Sequence, residues 1–435
     1  MNNYYKMNEE QPPTIGGEEE SVELYEKLSL ISREACLNRI QTSLDTSLKE
    51  SDVAESRQKA ETSLSTLLTF CENHFIPNGF NSARKFKKEK QQALCSVMVL
   101  CLEHINEDNK WSSNESFKSS STIIDFICKY YSCENAKDLI SNEQHQLLPI
   151  IFTFLRPKLL KDNWKFFPAA VTSYVWIVNN LEKLAIGRNL YLLMPTALII
   201  LDDYLASNRL VGLKCLDRIV RSISKSEFDS YCSDDSIYRM LHPMIYNFES
   251  STVEPVISCI CAVLEKRLDN VAKMKWTQYD DIMGAWLSAM AMEQKLDLRA
   301  AHIQCFSIFL TSMGCACVRW SERIINVFEE YSVYHKEQEH CFKAMHVFMR
   351  ETWKRTHKHF PQLIVILLKA LHDLNDENSC ANNENYENRI SSIVQCLNLL
   401  RKVTPDQMNK IASDLRADSR FSEIGKKYFT DTTSN

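Results

Sequence analysis

Apolar residues recur at steps of three and four along most of this 435-residue chain. Leu24, Leu28, Ile31 and Ala35 form one stripe, and Leu64, Leu67, Leu68, Cys71 and Phe75 form another. Leu94, Val97, Leu100, Cys101 and Ile105 make a third. A helix of 3.6 residues per turn gathers such positions on one side, so each stripe predicts an amphipathic helix facing a core. No alternating strand pattern of useful length appears. Residues 1–20 carry Pro12, Pro13, Gly16, Gly17 and Glu18-Glu19-Glu20, the composition of a disordered acidic arm. A helical region follows at 21–131, with the Asn- and Ser-rich stretch 106–121 expected as an exposed loop and helices resuming at Ile123–Tyr131. Paired helices fill 132–429, broken by a second expected loop at 375–388 and closed by two or three short helices. Residues 430–435 read as a polar tail.

A repeat emerges from the prolines. Pro149, Pro195 and Pro243 each precede an apolar helical run, at intervals of 46 and 48 residues. Proline suits the first turn of a helix, where its missing N–H had no partner anyway. The interval matches a two-helix unit of HEAT size. After Pro195 come Asp202, Asp203 and Tyr204, then Arg209, Gly212, Cys215 and Leu216. This order resembles the HEAT arrangement: an acid at the turn, an arginine opening the second helix, and small residues where the two helices cross. Glu293 and Arg299 repeat the six-residue step, with Cys305 six further on and His302 in place of the first small residue. The expected fold is therefore all-α, an α-solenoid of HEAT-like antiparallel helix pairs. Such pairs cannot bury both apolar faces alone and must stack.

Composition sharpens this picture. Only 8 glycines occur, where average usage near 7% would give about 30. Hairpins and phosphate-cradling loops lean on glycine, so a sheet-rich fold or a nucleotide-binding enzyme is disfavoured. The formal net charge of −5 gives no reason to expect direct nucleic-acid or membrane binding. The longest uncharged apolar run, Leu190 to Leu201, is shorter than the ~18 residues of a membrane span. The start MNNYYKMNEEQPPTIGGEEE lacks the apolar segment of a signal peptide, which predicts an unexported chain with reduced thiols, cytoplasmic and nuclear. Cys95, Cys101, Cys215, Cys305 and Cys396 then act as small buried hydrophobes.

Candidate chemistry is sparse. Cys259 and Cys261, like Cys315 and Cys317, stand two apart rather than as zinc knuckles, and two-apart residues on a helix face different sides. His357 and His359 share that spacing. The acid pairs Asp234-Asp235 and Asp280-Asp281 fit helix N-termini, where the macrodipole favours them. No Gly-x-Ser-x-Gly elbow, Walker A motif or dinucleotide fingerprint is present. No catalytic residue, metal site or cofactor is expected. The strip Arg84 to Lys90 is the most basic patch and reads as a solvated helix start or an acidic-partner dock.

The run Leu193-Met194-Pro195-Thr196-Ala197-Leu198-Ile199-Ile200-Leu201-Asp202-Asp203-Tyr204, with Gly212 to Val220 after it, resembles the TELO-two-interacting protein 2 family. Asn163-Trp164-Lys165 with Pro168 and Trp176, Thr352-Trp353-Lys354-Arg355 and Leu367-Leu368-Lys369-Ala370-Leu371 agree in order, so the similarity spans roughly 145–374. The resemblance implies a non-enzymatic subunit of the Triple T cochaperone complex. Its implied partners are a larger HEAT-repeat subunit and the telomere-maintenance subunit. Indirect partners are the heat-shock 90 chaperone, a RuvB-like ATPase cochaperone and the phosphatidylinositol-3-kinase-related kinases, whose maturation it supports. Pro195, Asp202, Asp203, Tyr204, Arg209, Gly212, Cys215 and Leu216 read as fold-keeping positions; Trp164, Trp353 and Arg355 are candidate partner contacts. The alternative is another HEAT- or armadillo-type adaptor for short peptides, which a ladder of Asn and Trp on inner helices would favour; the sequence shows no such ladder. A helical enzyme with a Cys or His site is the third reading.

Overall fold

The computed structural model describes residues 16–41, 48–74, 87–232, 235–269, 274–377, 384–418 and 422–429. Residues 1–15 of the expected arm, Phe75, Arg84 to Phe86, Asp234, residues 378–383 and the tail 430–435 lie outside them. Among the described residues every regular element is helical. The chain divides into two compact units, Met1–Ile223 and Ser224–Asn435.

The first unit opens with α1 (Gly16–Ala35), α2 (Ala54–His74), α3 (Lys87–Glu103) and α4 (Asn114–Tyr130). It continues through α5 (Ala136–Ser141), α6 (Leu147–Leu155), α7 (Pro168–Asn180) and α8 (Lys183–Arg188). Helices α9 (Leu190–Leu201) and α10 (Ala206–Ser222) close it. Helix α3 packs on α1, α6 and α7, α7 packs on α10, and α2 packs on α4. Helix α1 begins at Gly16, inside the stretch read as an unstructured arm.

The second half of the expected loop 106–121 is helix, while 106–113 is turn and coil. Helix α4 starts at Asn114, capped by Ser113, whose hydroxyl accepts from the Ser116 N–H while Ser116 Oγ accepts from the Ser113 N–H. Just before the cap, Trp111 is buried and its indole N–H donates to the Glu103 carbonyl at 2.8 Å. Serine favours turns in isolation, but here the same chemistry satisfies the orphan donors of a helix start. Glu103 is itself buried, accepting from the Leu37 N–H (2.7 Å) and from Lys158 Nζ (2.8 Å).

The second unit holds α11 (Lys225–Tyr231), α12 (Ser236–Leu241), a 3-10 segment (His242–Tyr246) and α13 (Val253–Arg267). Then come α14 (Gln278–Met292), α15 (Leu296–Met313), a 3-10 segment (Gly314–Trp320), α16 (Ser321–Tyr331) and α17 (His335–Glu351). Helices α18 (Trp353–Glu377), α19 (Glu384–Val403), α20 (Pro405–Ala417) and α21 (Ser422–Tyr428) finish the chain. Helices α18 and α19 extend into both sides of the expected loop 375–388. Two layers result: α13, α15, α17 and α19 pack in succession, and α14, α16 and α18 pack in succession beside them. That is the stacking of antiparallel pairs, each burying its stripe against the next.

One expectation fails here. The prolines do not share a place: Pro149 is third in α6, Pro195 sixth in α9, and Pro243 second in a 3-10 segment. Their interval therefore does not mark the start of a repeated helix. Interior proline removes one ladder bond; Pro195 lies on the exposed side of α9, where water can reach the Tyr191 carbonyl left without a donor. Cys259 and Cys261 stand on different sides of α13 and are both buried, because that helix is covered on nearly every side from Val256 to Leu264. The helical run Leu296–Tyr331 has the length and apolarity of a membrane span. Its apolar residues include Phe306, Phe309, Leu310 and Phe328, all fully buried in the second unit.

Candidate partner-binding surface

The α9–α10 turn is assembled from the residues that spelled the motif. Asp203 is nearly buried, and its carboxylate accepts from the Leu205 N–H (2.9 Å), Asn208 Nδ2 (3.1 Å) and Lys165 Nζ (2.6 Å). Lys165 also lies 4.4 Å from the centre of the exposed Tyr204 ring, a cation–π contact. Asp202 is exposed and pairs with Lys161 at 3.1 Å. Arg209 donates to the Tyr204 carbonyl at 3.3 Å, while its Nε is buried with no partner among the described residues. Gly212 sits where α10 crosses α9: a Cβ there would stand 2.5 Å from the Leu201 backbone nitrogen. Cys215 and Leu216 are buried beside it, and burial pushes the Cys215 thiol up to about 12.

The second unit repeats this turn with different side chains. Glu293 Oε1 accepts from the Gln294 and Lys295 N–H groups at 2.9 and 2.7 Å. Arg299 is buried, lies 3.9 Å from the centre of the Tyr331 ring, and donates to both carboxylate oxygens of Glu337 at 3.3 Å. Burial outweighs that partner and raises the Glu337 carboxyl above its usual range. His302 holds the place of Gly212; its Nδ1 accepts from the Trp286 indole at 2.8 Å, and burial lowers its pKa to about 4.

The candidate contacts separate sharply. Trp164 is only 3% exposed and is part of the core, so no partner can rest on it. Trp353 is 54% exposed and Arg355 is exposed. The structure adds two tryptophans to Trp353. Trp276 immediately precedes the capping residue of α14, Trp320 is the N-cap of α16, and Trp353 is the first residue of α18. Each of these successive helices in one layer thus opens on an indole. Trp276 and Trp320 lie 5.6 Å apart, Trp276 donates to Asp281 at 2.8 Å, and Trp320 donates to Asp280 at 3.0 Å. Asp280 is fully buried; burial alone would raise its pKa, but the Arg319 and Trp320 donors hold the carboxyl below its usual range. Arg319 reaches it through Nε (2.8 Å) and a second nitrogen (2.7 Å).

The signal for this edge was present in the sequence as Lys275-Trp276, Arg319-Trp320 and Trp353-Lys354-Arg355. Sequence position alone does not show that these indoles share one edge, because only stacking sets α14, α16 and α18 side by side. Elsewhere, the described cysteines are buried except Cys315, and no group of three or more His, Cys, Asp or Glu among the described residues is placed to hold a metal ion.

Stacked helix pairs, turns tied by buried ions and an exposed aromatic edge define a HEAT-type helical-repeat protein. Solved structures agree on the fold: Kap121p bound to RanGTP aligns with a TM-score of 0.55, 12% identity, 92% of this chain and 36% of that one. Importin beta aligns at 0.52 and 13%, over 94% of this chain and 47% of its own. Residues 160–333 match the Tti2 family, which bears out the resemblance read from the α9–α10 motif. TELO2-interacting protein 2 of Homo sapiens is 23% identical over 291 residues, covering 64% of this chain and 57% of the human protein. The Mus musculus protein of the same name is 24% identical over 275 residues, 60% of this chain and 53% of that protein. The chain thus aligns with little more than half the length of these relatives.

Proposed function

We propose that this chain is a non-enzymatic scaffold subunit of a Triple T-type assembly. Its direct partners in that reading are a telomere-maintenance subunit of the TELO2 kind and a larger HEAT-repeat protein. Through them it supports maturation of phosphatidylinositol-3-kinase-related kinases by the heat-shock 90 chaperone and a RuvB-like ATPase cochaperone, in cytoplasm and nucleus. The observation that carries this is the Tti2-family stretch 160–333, which contains both turns described above and relatives of which are named for interacting with TELO2. Stacked repeats suit such work, because a long series of helix ends presents extended contact area without a catalytic cleft.

Affinity purification of the tagged full chain from native extract, followed by mass spectrometry, tests the reading. The two named subunits should co-purify in near-equal amounts, and depletion of the chain should lower steady-state levels of several of the kinases together. Recovery of transport cargoes without either subunit would replace this reading with the peptide-adaptor one.

A further inference from the structure

Cations without carboxylate partners among the described residues gather at the starts of α16 and α18. Arg323 lies 5.5 Å from the centre of the Trp320 ring and donates to Ser288 Oγ at 2.8 Å, with no carboxylate partner among the described residues. Lys354, Arg355 and Lys358 are exposed on α18, and none makes an ion pair among the described residues. From Trp353 to His372 the sequence contains no Asp or Glu. The buried positions of that helix, such as Thr356, Phe360, Leu363 and Leu367, fall on the opposite side from the cations. The two exposed indoles, Trp276 at 63% and Trp353 at 54%, keep most of their apolar surface in water. Large exposed aromatics beside uncompensated cations are the composition of a contact surface rather than of a solvated one.

We propose that this tryptophan–cation edge of the second unit docks an extended acidic peptide segment of another protein. The cations meet its carboxylates and the indoles cover its apolar or backbone surface. The spacing suits an extended chain: neighbouring helices stand about 8–10 Å apart, which an extended peptide spans in about three residues. Single-stranded nucleic acid uses a similar pairing of aromatics with cations. An acidic peptide is favoured because its carboxylates can be spaced to skip Asp281, which is bonded to the Trp276 indole within the edge, whereas a nucleic acid carries a phosphate at every residue. The proposal goes beyond the scaffold reading and does not depend on which larger assembly holds the chain.

Fluorescence anisotropy on the full chain tests it, with a short labelled peptide of Asp and Glu interrupted by Leu. The same peptide with Lys replacing each acid, and an oligothymidylate, are the competing ligands. The acidic peptide should bind saturably at low salt. The triple variant K354E/R355E/K358E should weaken it at least about tenfold, as loss of complementary charge at an interface does. Quenching of tryptophan emission on binding should disappear in W276A/W353A. If charge reversal alters the melting curve, the neutral variant K354Q/R355Q/K358Q replaces it and should weaken binding in the same direction. Equal binding of the Lys peptide, tighter binding of oligothymidylate, or unchanged affinity in the folded variant would each overturn the proposal.

Discussion

The α9–α10 turn of the first unit and the α14–α15 turn of the second use one backbone plan with opposite electrostatic weight. In each, an acid stands three residues before the second helix and accepts the N–H two residues on. In each, an arginine follows six residues later, then a variable position and a buried cysteine at three-residue steps. In the first unit the buried charge is the acid: Asp203 reaches Lys165 outside the pair, while Arg209, among the described residues, bonds the local Tyr204 carbonyl. In the second, Glu293 stays local and Arg299 reaches out, to Glu337 on the following pair. The variable position differs too, because Gly212 lets two helices touch, whereas His302 fills its place with a ring that accepts from Trp286. The shared plan fixes the turn, and the choice of buried ion fixes which neighbour it grips.

Removing the ion in the second turn should have the largest effect. Arg299→Ala leaves Glu337 buried without its counter-charge, a loss of about 3–5 kcal/mol on breaking such a pair. Glu337→Gln in the same background should recover part of it, because the stranded charge is then gone. Denaturant unfolding of the single and double variants checks this, and equal stability of Arg299→Ala and the parent would show that the pair is idle. Acid comes next. The folded His302 titrates near 4 against about 6.5 unfolded, so below pH 6.5 the unfolded chain takes the proton first. Stability from this group is full above pH 6.5 and falls as pH drops toward 4, by roughly 3 kcal/mol. His302→Gln should flatten that part of the stability-versus-pH curve; an unchanged slope would assign the acid sensitivity to other groups.

Much of this was legible before any coordinates. Asp203, Gly212 and Cys215 spelled the turn because a helix pair needs an acceptor for its turn N–H groups and small residues at a close crossing. Helix identity was also plain, since stripes at three- and four-residue steps have no other simple reading. The proline interval misled because proline constrains only its own backbone, and a helix such as α9 tolerates it on the wet side. The second half of loop 106–121 misled because serine serves caps as readily as loops: Ser113 and Ser116 cap α4. Trp164 looked as available as Trp353, yet burial depends on what packs over a residue and not on its neighbours in sequence. The tryptophan edge was hidden for the same reason: its members are brought together by stacking.

The first unit supplies the smaller effects. Gly212→Ala places a methyl group 2.5 Å from the Leu201 backbone nitrogen, so α9 and α10 must part, at a cost of about 1–3 kcal/mol for overpacking. The same residue in the second unit is already His302, so His302→Ala should act through a lost partner for Trp286 instead of a clash. Asp203→Ala leaves the Leu205 and Asn208 donors and Lys165 without their acceptor and should cost about 1–3 kcal/mol. Asp202→Ala is the contrast within one dipeptide. Its carboxylate is exposed and its partner Lys161 is more so, and ion pairs of that kind are worth less than about 1 kcal/mol. Melting curves of the two aspartate variants should therefore separate clearly, with Asp202→Ala close to the parent and insensitive to added salt. If the two fall together, the buried carboxylate is not what holds the turn, and the parallel with Arg299 fails.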